Sequence, residues 1–208
     1  MSLREIKRAR TRQALVSAAV ELFERNGYEQ TTIADIAAAA EIGTRTFFGY
    51  FASKEDLLFP ETDGRLRAAV EAIEHRGPHD TPAQVLLRAL SLVGAASDDL
   101  TGRLGALRLR FIQEIPAVRG RSLQLQLDMQ QELARRLAAA FPGELDVVTA
   151  AALVGAFVGA VTSALQALLG DGPAPDPAAV QRAVERATAV ALRPWLAHDV
   201  RQAGAGNV

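Results

Sequence analysis

The sequence predicts an all-α protein of about nine helices. Apolar residues recur at three- and four-residue spacing along nearly the whole chain. β-branched residues are scattered, and no hairpin dipeptide lies between alternating runs. Gly and Pro punctuate the chain at intervals that fit helices rather than strands.

The first helix is expected from about Arg4 to Asn26, with Leu15, Ala18, Ala19, Leu22 and Phe23 on its apolar face and Gly27 as its terminator. Thr32 caps the second, with Asp35 three residues on completing a capping box. Ile33, Ile36, Ala37 and Ala40 form its buried side, and it ends near Glu41. A turn through Ile42 and Gly43 leads to a third helix over about 44–51. Ser53 to Asp56 reads as a second capping box opening a fourth helix, which Pro60 interrupts. Longer helices follow. Breaks are expected at Gly77-Pro78, Asp98 to Gly102, Pro116 to Gly120, Pro142-Gly143 and the linker GDGPAPDP at 170–177, and disorder in the tail AGAGNV.

Composition narrows the function. Apolar residues make up 49% of the chain and charged ones 23%, as in soluble globular proteins. The formal net charge is −1, so any nucleic-acid contact must come from a local basic patch. The absence of cysteine excludes disulfides, thiolate catalysis and Cys-based zinc sites. MSLREIKRARTR is basic with no apolar stretch behind it, so it does not read as a signal peptide. His75, His79 and His198 are scattered, and Gly77-Pro78 breaks the helix that His75 and His79 would need to share a metal. There is no phosphate-loop motif and no nucleophile elbow. Neither metal, cofactor nor catalysis is expected. Val147 to Gly170 carries no charge, but its Ala and Gly content and the lack of an aromatic belt favour a helix buried on all sides over a membrane span.

The chemistry concentrates in EIGTRTFFGYFASKEDLL, residues 41–58. A chain with one Trp, two Tyr and eight Phe places Phe47, Phe48, Tyr50 and Phe51 here, followed by Lys54, one of its two lysines. The second and third helices with their short turn form a helix-turn-helix candidate, whose second helix would enter a DNA major groove. Phe47 and Phe51 lie about 40° apart on a helical wheel and share the inward face. Arg45 and Gly49 centre the opposite face, flanked by Thr46 and Phe48. An outward Arg is the commonest reader of guanine. Gly49 in a helix costs about 1 kcal/mol against Ala, which suits a backbone that must approach DNA. The run Arg4, Lys7, Arg8, Arg10 and Arg12 reads as an arm along phosphates or in a minor groove; a solvated helix face is the alternative.

YEQTTIADIAAAAEIGTRTFFGYFASKEDLL closely resembles the DNA-binding motif of the TetR family of transcriptional regulators, over about residues 10–58. The resemblance implies a helix-turn-helix domain at 1–53 and a helical ligand-binding and dimerisation domain at 54–208. It puts Thr32, Tyr50 and Lys54 at phosphate-contacting positions, and Thr44, Arg45, Thr46 and Gly49 at groove-facing ones. Three residues depart from the family pattern. Glu41 replaces the turn glycine and is strained if that position needs a positive φ. Gly43 replaces a capping Ser. Phe48 replaces a Tyr and has no hydroxyl for a phosphate, so it either touches a thymine methyl or sugar or packs inward.

The resemblance also implies a homodimer formed through the last two long helices, with Gly155, Gly159, Val184 and Ala187 at the interface. Phe111, Gln113, Met129 and Phe157 become candidates for an effector pocket, though each also suits an ordinary core. Arg108, Arg110 and Glu114 suit a pocket, a domain interface or a solvated face. The expected partners are a double-stranded DNA operator, a small-molecule effector and a second copy of the chain, with no membrane, in the cytoplasm. The expected activity is that of a repressor released by its ligand. An activator, or a helical ligand-binding protein on the same fold, is the alternative.

Overall fold

A computed structural model of the chain describes residues 2–95, 102–168 and 176–205. Among these residues the regular structure is entirely helical: α1 (Leu3–Asn26), α2 (Ile33–Ala39), α3 (Thr44–Phe47), α4 (Thr62–Glu74), α5 (Pro82–Ala95), α6 (Arg103–Glu114), α7 (Pro116–Ala140), α8 (Val147–Leu168) and α9 (Pro177–Ala205), with a 3₁₀ turn at Glu55–Leu58. The expected breaks at 98–101 and 169–175 and the last residues, 206–208, lie outside the described residues.

The chain divides into two compact units, residues 1–60 with 102–123, and 61–101 with 124–208. In the first, Leu15, Ala19, Leu22 and Phe23 of α1 bury against Ile36 and Ala37 of α2, Phe47 of α3, and Leu57 and Leu58 of the 3₁₀ turn. Leu107 and Phe111 of α6 complete this core. The unit therefore reaches beyond residue 53. Arg108, 5% exposed, donates to the Leu58 carbonyl at 3.2 Å, and Arg121 donates to Asp56 at 2.6 Å. Ion pairing also joins Arg103 to Glu24.

The second unit packs α4, α5, the later part of α7, α8 and α9 around Ile73, Leu86, Leu137, Leu153 and Leu192. Here the structure corrects the expectation for α8. Only 28% of its most apolar window is buried, on the side of Leu153, Val154, Phe157 and Val158. Val147 (67% exposed), Val148 (78%), Ala151, Ala152 and Ala156 face outward. The helix is apolar around its whole circumference yet covered on one side.

Several ends differ from the sequence reading. The expected fourth helix is a single 3₁₀ turn, because Pro60 removes a backbone donor just after it, and α4 starts afresh at Thr62. Asp56 accepts from the Ser53 N–H at 3.2 Å, but no side chain caps the turn from in front, so half of the expected box forms. Pro116 starts α7 rather than breaking it, since its fixed φ and missing N–H are harmless at a first turn, and the helix continues through Gly120. The last helix runs past His198 to Ala205, taking in the start of the AGAGNV tail.

Candidate nucleic-acid interface

α2 is seven residues long and both its ends are fixed locally. Thr32 accepts from the Asp35 N–H at 3.1 Å, while the Asp35 carboxylate accepts from the Thr32 N–H at 2.9 Å and its hydroxyl at 2.6 Å. The Thr32 hydroxyl, then its backbone N–H, hold the Asp35 carboxyl below its ordinary pKa. At the other end Ile42 N–H donates to Ala37 at 2.9 Å and Glu41 N–H to Ala38 at 3.0 Å. These are the paired bonds of a Schellman cap, which needs its C′ residue in the left-handed region. Glu41 occupies that position with φ 56°, the one non-glycine residue with positive φ among those described. The strain expected from replacing glycine is present.

The turn leads into α3, which packs on α2. Its helical hydrogen bonding covers four residues rather than the eight expected. Beyond Phe47 the chain tightens, with Gly49 N–H donating to Thr46 at 3.0 Å and Tyr50 N–H to Phe47 at 2.8 Å. A Cβ on Gly49 would stand 3.2 Å from the Thr46 carbonyl oxygen, so glycine has a local steric reason here besides access to its backbone. Phe47 is fully buried and Phe51 4% exposed. Thr44, Arg45, Thr46, Phe48 and Gly49 are exposed together. Phe48 does not pack inward: it is 55% exposed, with its edge against Phe47 at 5.4 Å between ring centres.

The basic residues divide. Arg12 is half-buried, donating to the Tyr50 carbonyl at 2.9 Å and the Pro60 carbonyl at 3.0 Å, with its guanidinium 4.2 Å from the Phe51 ring centre. Arg8 reaches the Gly49 carbonyl at 3.4 Å and lies 5.6 Å from the Tyr50 ring centre. Lys54 is turned to structural use. Its ammonium donates to the carbonyls of Tyr28 at 2.8 Å and Thr31 at 3.0 Å and sits 4.0 Å from the Tyr28 ring centre. Two of its three N–H donors are thus committed, leaving one for an outside acceptor. Beneath it the Tyr28 hydroxyl donates to Glu55 at 2.5 Å. Burial, then that bond, pushes the Tyr28 pKa up; burial pushes Glu55 up as well, but hydrogen bonds from Tyr28 and Ser53 outweigh it and hold it low.

The remaining candidates are not gathered. Phe111 is 2% exposed and belongs to an aromatic triad with Phe23 (5.8 Å) and Tyr28 (5.4 Å) in the first unit, a core role rather than a pocket-lining one. Gln113 is exposed on α6, with its carbonyl accepting from Arg119. Arg110 and Glu114 form an exposed ion pair at 3.9 Å on the same helix. In the second unit Met129 is partly buried against the core and Phe157 is 7% exposed within it. That unit carries an open cavity of about 470 Å³ between α4 and α7, lined by Leu66, Val70, Glu71, Glu74, Glu132 and Arg136, and neither Met129 nor Phe157 reaches it. Of the candidate pairing residues, Gly155 and Gly159 face open space, where an added Cβ meets nothing within 4 Å. Ala187 is half-buried and Val184 is 7% exposed. No group of three or more metal-ligating side chains occurs among the described residues.

The arrangement matches known regulators. Residues 15–59 match the model for bacterial regulatory proteins of the tetR family. The transcriptional regulator TcmR of Streptomyces glaucescens is 36% identical over 149 residues, covering 69% of this chain and 66% of that protein. HbdR of Aromatoleum is 44% identical over 48 residues, covering 23% of this chain and 21% of that protein. Among solved structures, a TetR-family regulator from Syntrophomonas wolfei superposes with TM-score 0.58 at 18% identity, covering 88% of this chain and 96% of the other. FadR of Thermus thermophilus, a repressor solved with lauroyl-CoA, gives 0.54 at 19%, covering 87% and 93%. At these identities the structural likeness is one of fold.

Proposed function

The chain belongs to the TetR family of bacterial regulatory proteins, and so to the DNA-binding transcriptional regulators, and we propose that it is a cytoplasmic homodimeric repressor that leaves a two-fold symmetric operator when a small molecule binds. The observation that carries this is the exposed group Thr44, Arg45, Thr46, Phe48 and Gly49 standing on a buried Phe47. Arg45 reads a guanine edge and Phe48 meets a thymine methyl or sugar. Thr32, Tyr50 and the remaining donor of Lys54 take phosphates. The first unit, residues 1–60 with 102–123, holds this DNA-binding role, and the second binds the effector and dimerises.

The bare side of α8 supports the dimer. A charge-free helix with exposed Val148, Ala152 and Ala156 around Gly155 and Gly159 offers a close-packing surface that a second copy covers by two-fold pairing. Its neighbour α9 exposes Arg182, Glu185, Arg186 and Arg193, which suit a protein interface in water and not a bilayer interior. Of the pocket candidates, Met129 and Phe157 belong to the second unit, and the cavity between α4 and α7 is an additional place for an effector. The ligand acts by preferring one separation of the two recognition helices. The relatives' naming as regulators supports a binding role and not catalysis.

Selection of bound duplexes from a random library, using the purified chain, tests the reading. A palindrome with half-sites about one helical turn apart is expected. Recovery of no enriched sequence would remove the regulatory assignment.

A further inference from the structure

Tyr28 sits where several elements of the first unit meet. It is buried, with its ring centre 5.3 Å from that of Phe23 on α1 and 5.4 Å from that of Phe111 on α6. The Lys54 ammonium stands 4.0 Å from the same ring centre and donates to the carbonyls of Tyr28 and Thr31. Those carbonyls are themselves held in place. Thr31 is fully buried, and its hydroxyl donates to Gly27 at 2.8 Å and to Leu22 at 3.3 Å, which fixes the loop that presents them. A lysine on its long flexible stem must be ordered before it can meet a phosphate. Here the order is built into the buried loop and ring.

The same side chain sorts two opposite charges. Lys54 and Glu55 are neighbours in sequence, yet among the described residues no ion pair joins them. The Tyr28 ring carries the ammonium, while its hydroxyl donates to the Glu55 carboxylate at 2.5 Å and Ser53 adds a second bond to that carboxylate. Burial, then the bond to Glu55, raises the Tyr28 pKa, so the phenol stays a donor. Packing against Phe23 and Phe111 asks only for a ring, which Phe would supply as well. The hydroxyl therefore has a separate use. A carboxylate turned onto the ammonium would engage the donor that the two carbonyls leave over, and a phosphate would have to compete with it.

Resting on the DNA-binding assignment, we propose that Tyr28 is a positioning residue for the phosphate contact of Lys54: its ring orders the ammonium, and its hydroxyl withholds the Glu55 carboxylate from it. Tyr28 and Glu55 act through Lys54, and so on affinity and not on base preference.

The test uses the full chain and the duplex recovered by selection. Binding is titrated against salt for wild type, Lys54→Ala, Tyr28→Phe, Glu55→Gln and Tyr28→Phe/Glu55→Gln, with base preference read from single-base variants of the duplex. Lys54→Ala should lower the salt slope by about 0.9 per protomer, equal to about eightfold in affinity at 0.1 M salt relative to 1 M. Tyr28→Phe keeps the ring but frees the carboxylate, and should lower the slope by about half as much with base preference unchanged. In the Glu55→Gln background no charge remains to compete, so adding Tyr28→Phe should change nothing. An equal loss from Tyr28→Phe in both backgrounds would overturn the proposal, because a merely structural hydroxyl acts without regard to that charge. Unchanged slope in Tyr28→Phe, with Lys54→Ala still lowering it, would also overturn it and leave the DNA assignment standing. Unchanged slope in Lys54→Ala would remove the contact and the proposal with it. Absence of binding by wild type would instead defeat the DNA assignment itself. Phe fills the same ring site, and Gln still accepts from the Tyr28 hydroxyl, so thermal melts should show each of these variants folded.

Discussion

Arg12 donates to the Tyr50 carbonyl at 2.9 Å while its guanidinium lies 4.2 Å from the ring centre of the next residue, Phe51. One side chain from α1 thereby fixes the exit of a recognition segment too short to hold itself. Arg12→Ala removes two charge-assisted bonds and a cation–π contact and is expected to destabilise by about 2 kcal/mol, discounted for partial exposure. Urea unfolding measures this as a lower midpoint at unchanged slope. Arg12→Lys, which lacks the two-pronged fork, should recover only part of the loss.

Glu41 holds φ 56° at the C′ position of α2. Glu41→Gly relieves about 1 kcal/mol of left-handed strain, partly offset by the greater freedom of glycine when unfolded. A net gain of about 0.5 kcal/mol is expected by thermal or urea denaturation. A loss would mean that the Glu41 side chain contributes more than its backbone costs.

Arg45→Ala is expected to cost about 1–3 kcal/mol in operator binding and to relax one base position per half-site. Lys54→Ala should weaken all sequences alike and also lower stability, because its ammonium ties the carbonyls of Tyr28 and Thr31. Competition binding with single-base operator variants, beside unfolding curves, separates the two effects. Lys54→Ala with unaltered stability would contradict the tethering role.

Gly155→Leu/Gly159→Leu places bulk on the bare side of α8, where an added Cβ meets nothing in the single chain. The variant is expected to fold and to sediment as a monomer, with its operator affinity reduced accordingly. Intact dimers by sedimentation would move the interface elsewhere.

Acid should loosen α2. The folded pKa of Asp35 is depressed, chiefly by the Thr32 hydroxyl, so its contribution is present above the ordinary carboxyl pKa of 3.8 and is lost as pH falls through the folded value. Melting temperatures followed below about pH 4 should fall less steeply for Asp35→Asn than for the parent. Parallel curves would show that the Thr32–Asp35 box does not couple to global stability.

Much of this was legible because it is local. Thr32 with Asp35, Gly27, and the division of Phe47 from Arg45 depend on residues within one or two turns of each other, where spacing dictates geometry. Glu41's left-handed backbone is only a condition in the sequence, resting on the glycine that the TetR pattern carries at its place, and the structure supplies the φ of 56°. Phe111 was not legible. Helical spacing marks it as buried but not against what, and its partners Phe23 and Tyr28 stand far away in the chain. Val184 shows the same limit: its spacing marks one side of α9, and only the structure shows that it is 7% exposed in the single chain.

The sequence by itself determined the helical class, the helix-turn-helix and the outward group around Arg45, since periodicity and capping act over a few residues. Tertiary structure decided what each charge does. Arg4, Arg8 and Arg12 are equivalent as letters, but contacts from Gly49, Tyr50 and Pro60 make Arg12 a brace and leave Arg4 exposed. The same holds for α8, whose unbroken apolarity is uniform in sequence and becomes one covered and one bare side only when its neighbours pack. A charged or apolar side chain takes its role from what surrounds it, and those surroundings are assembled from distant parts of the chain.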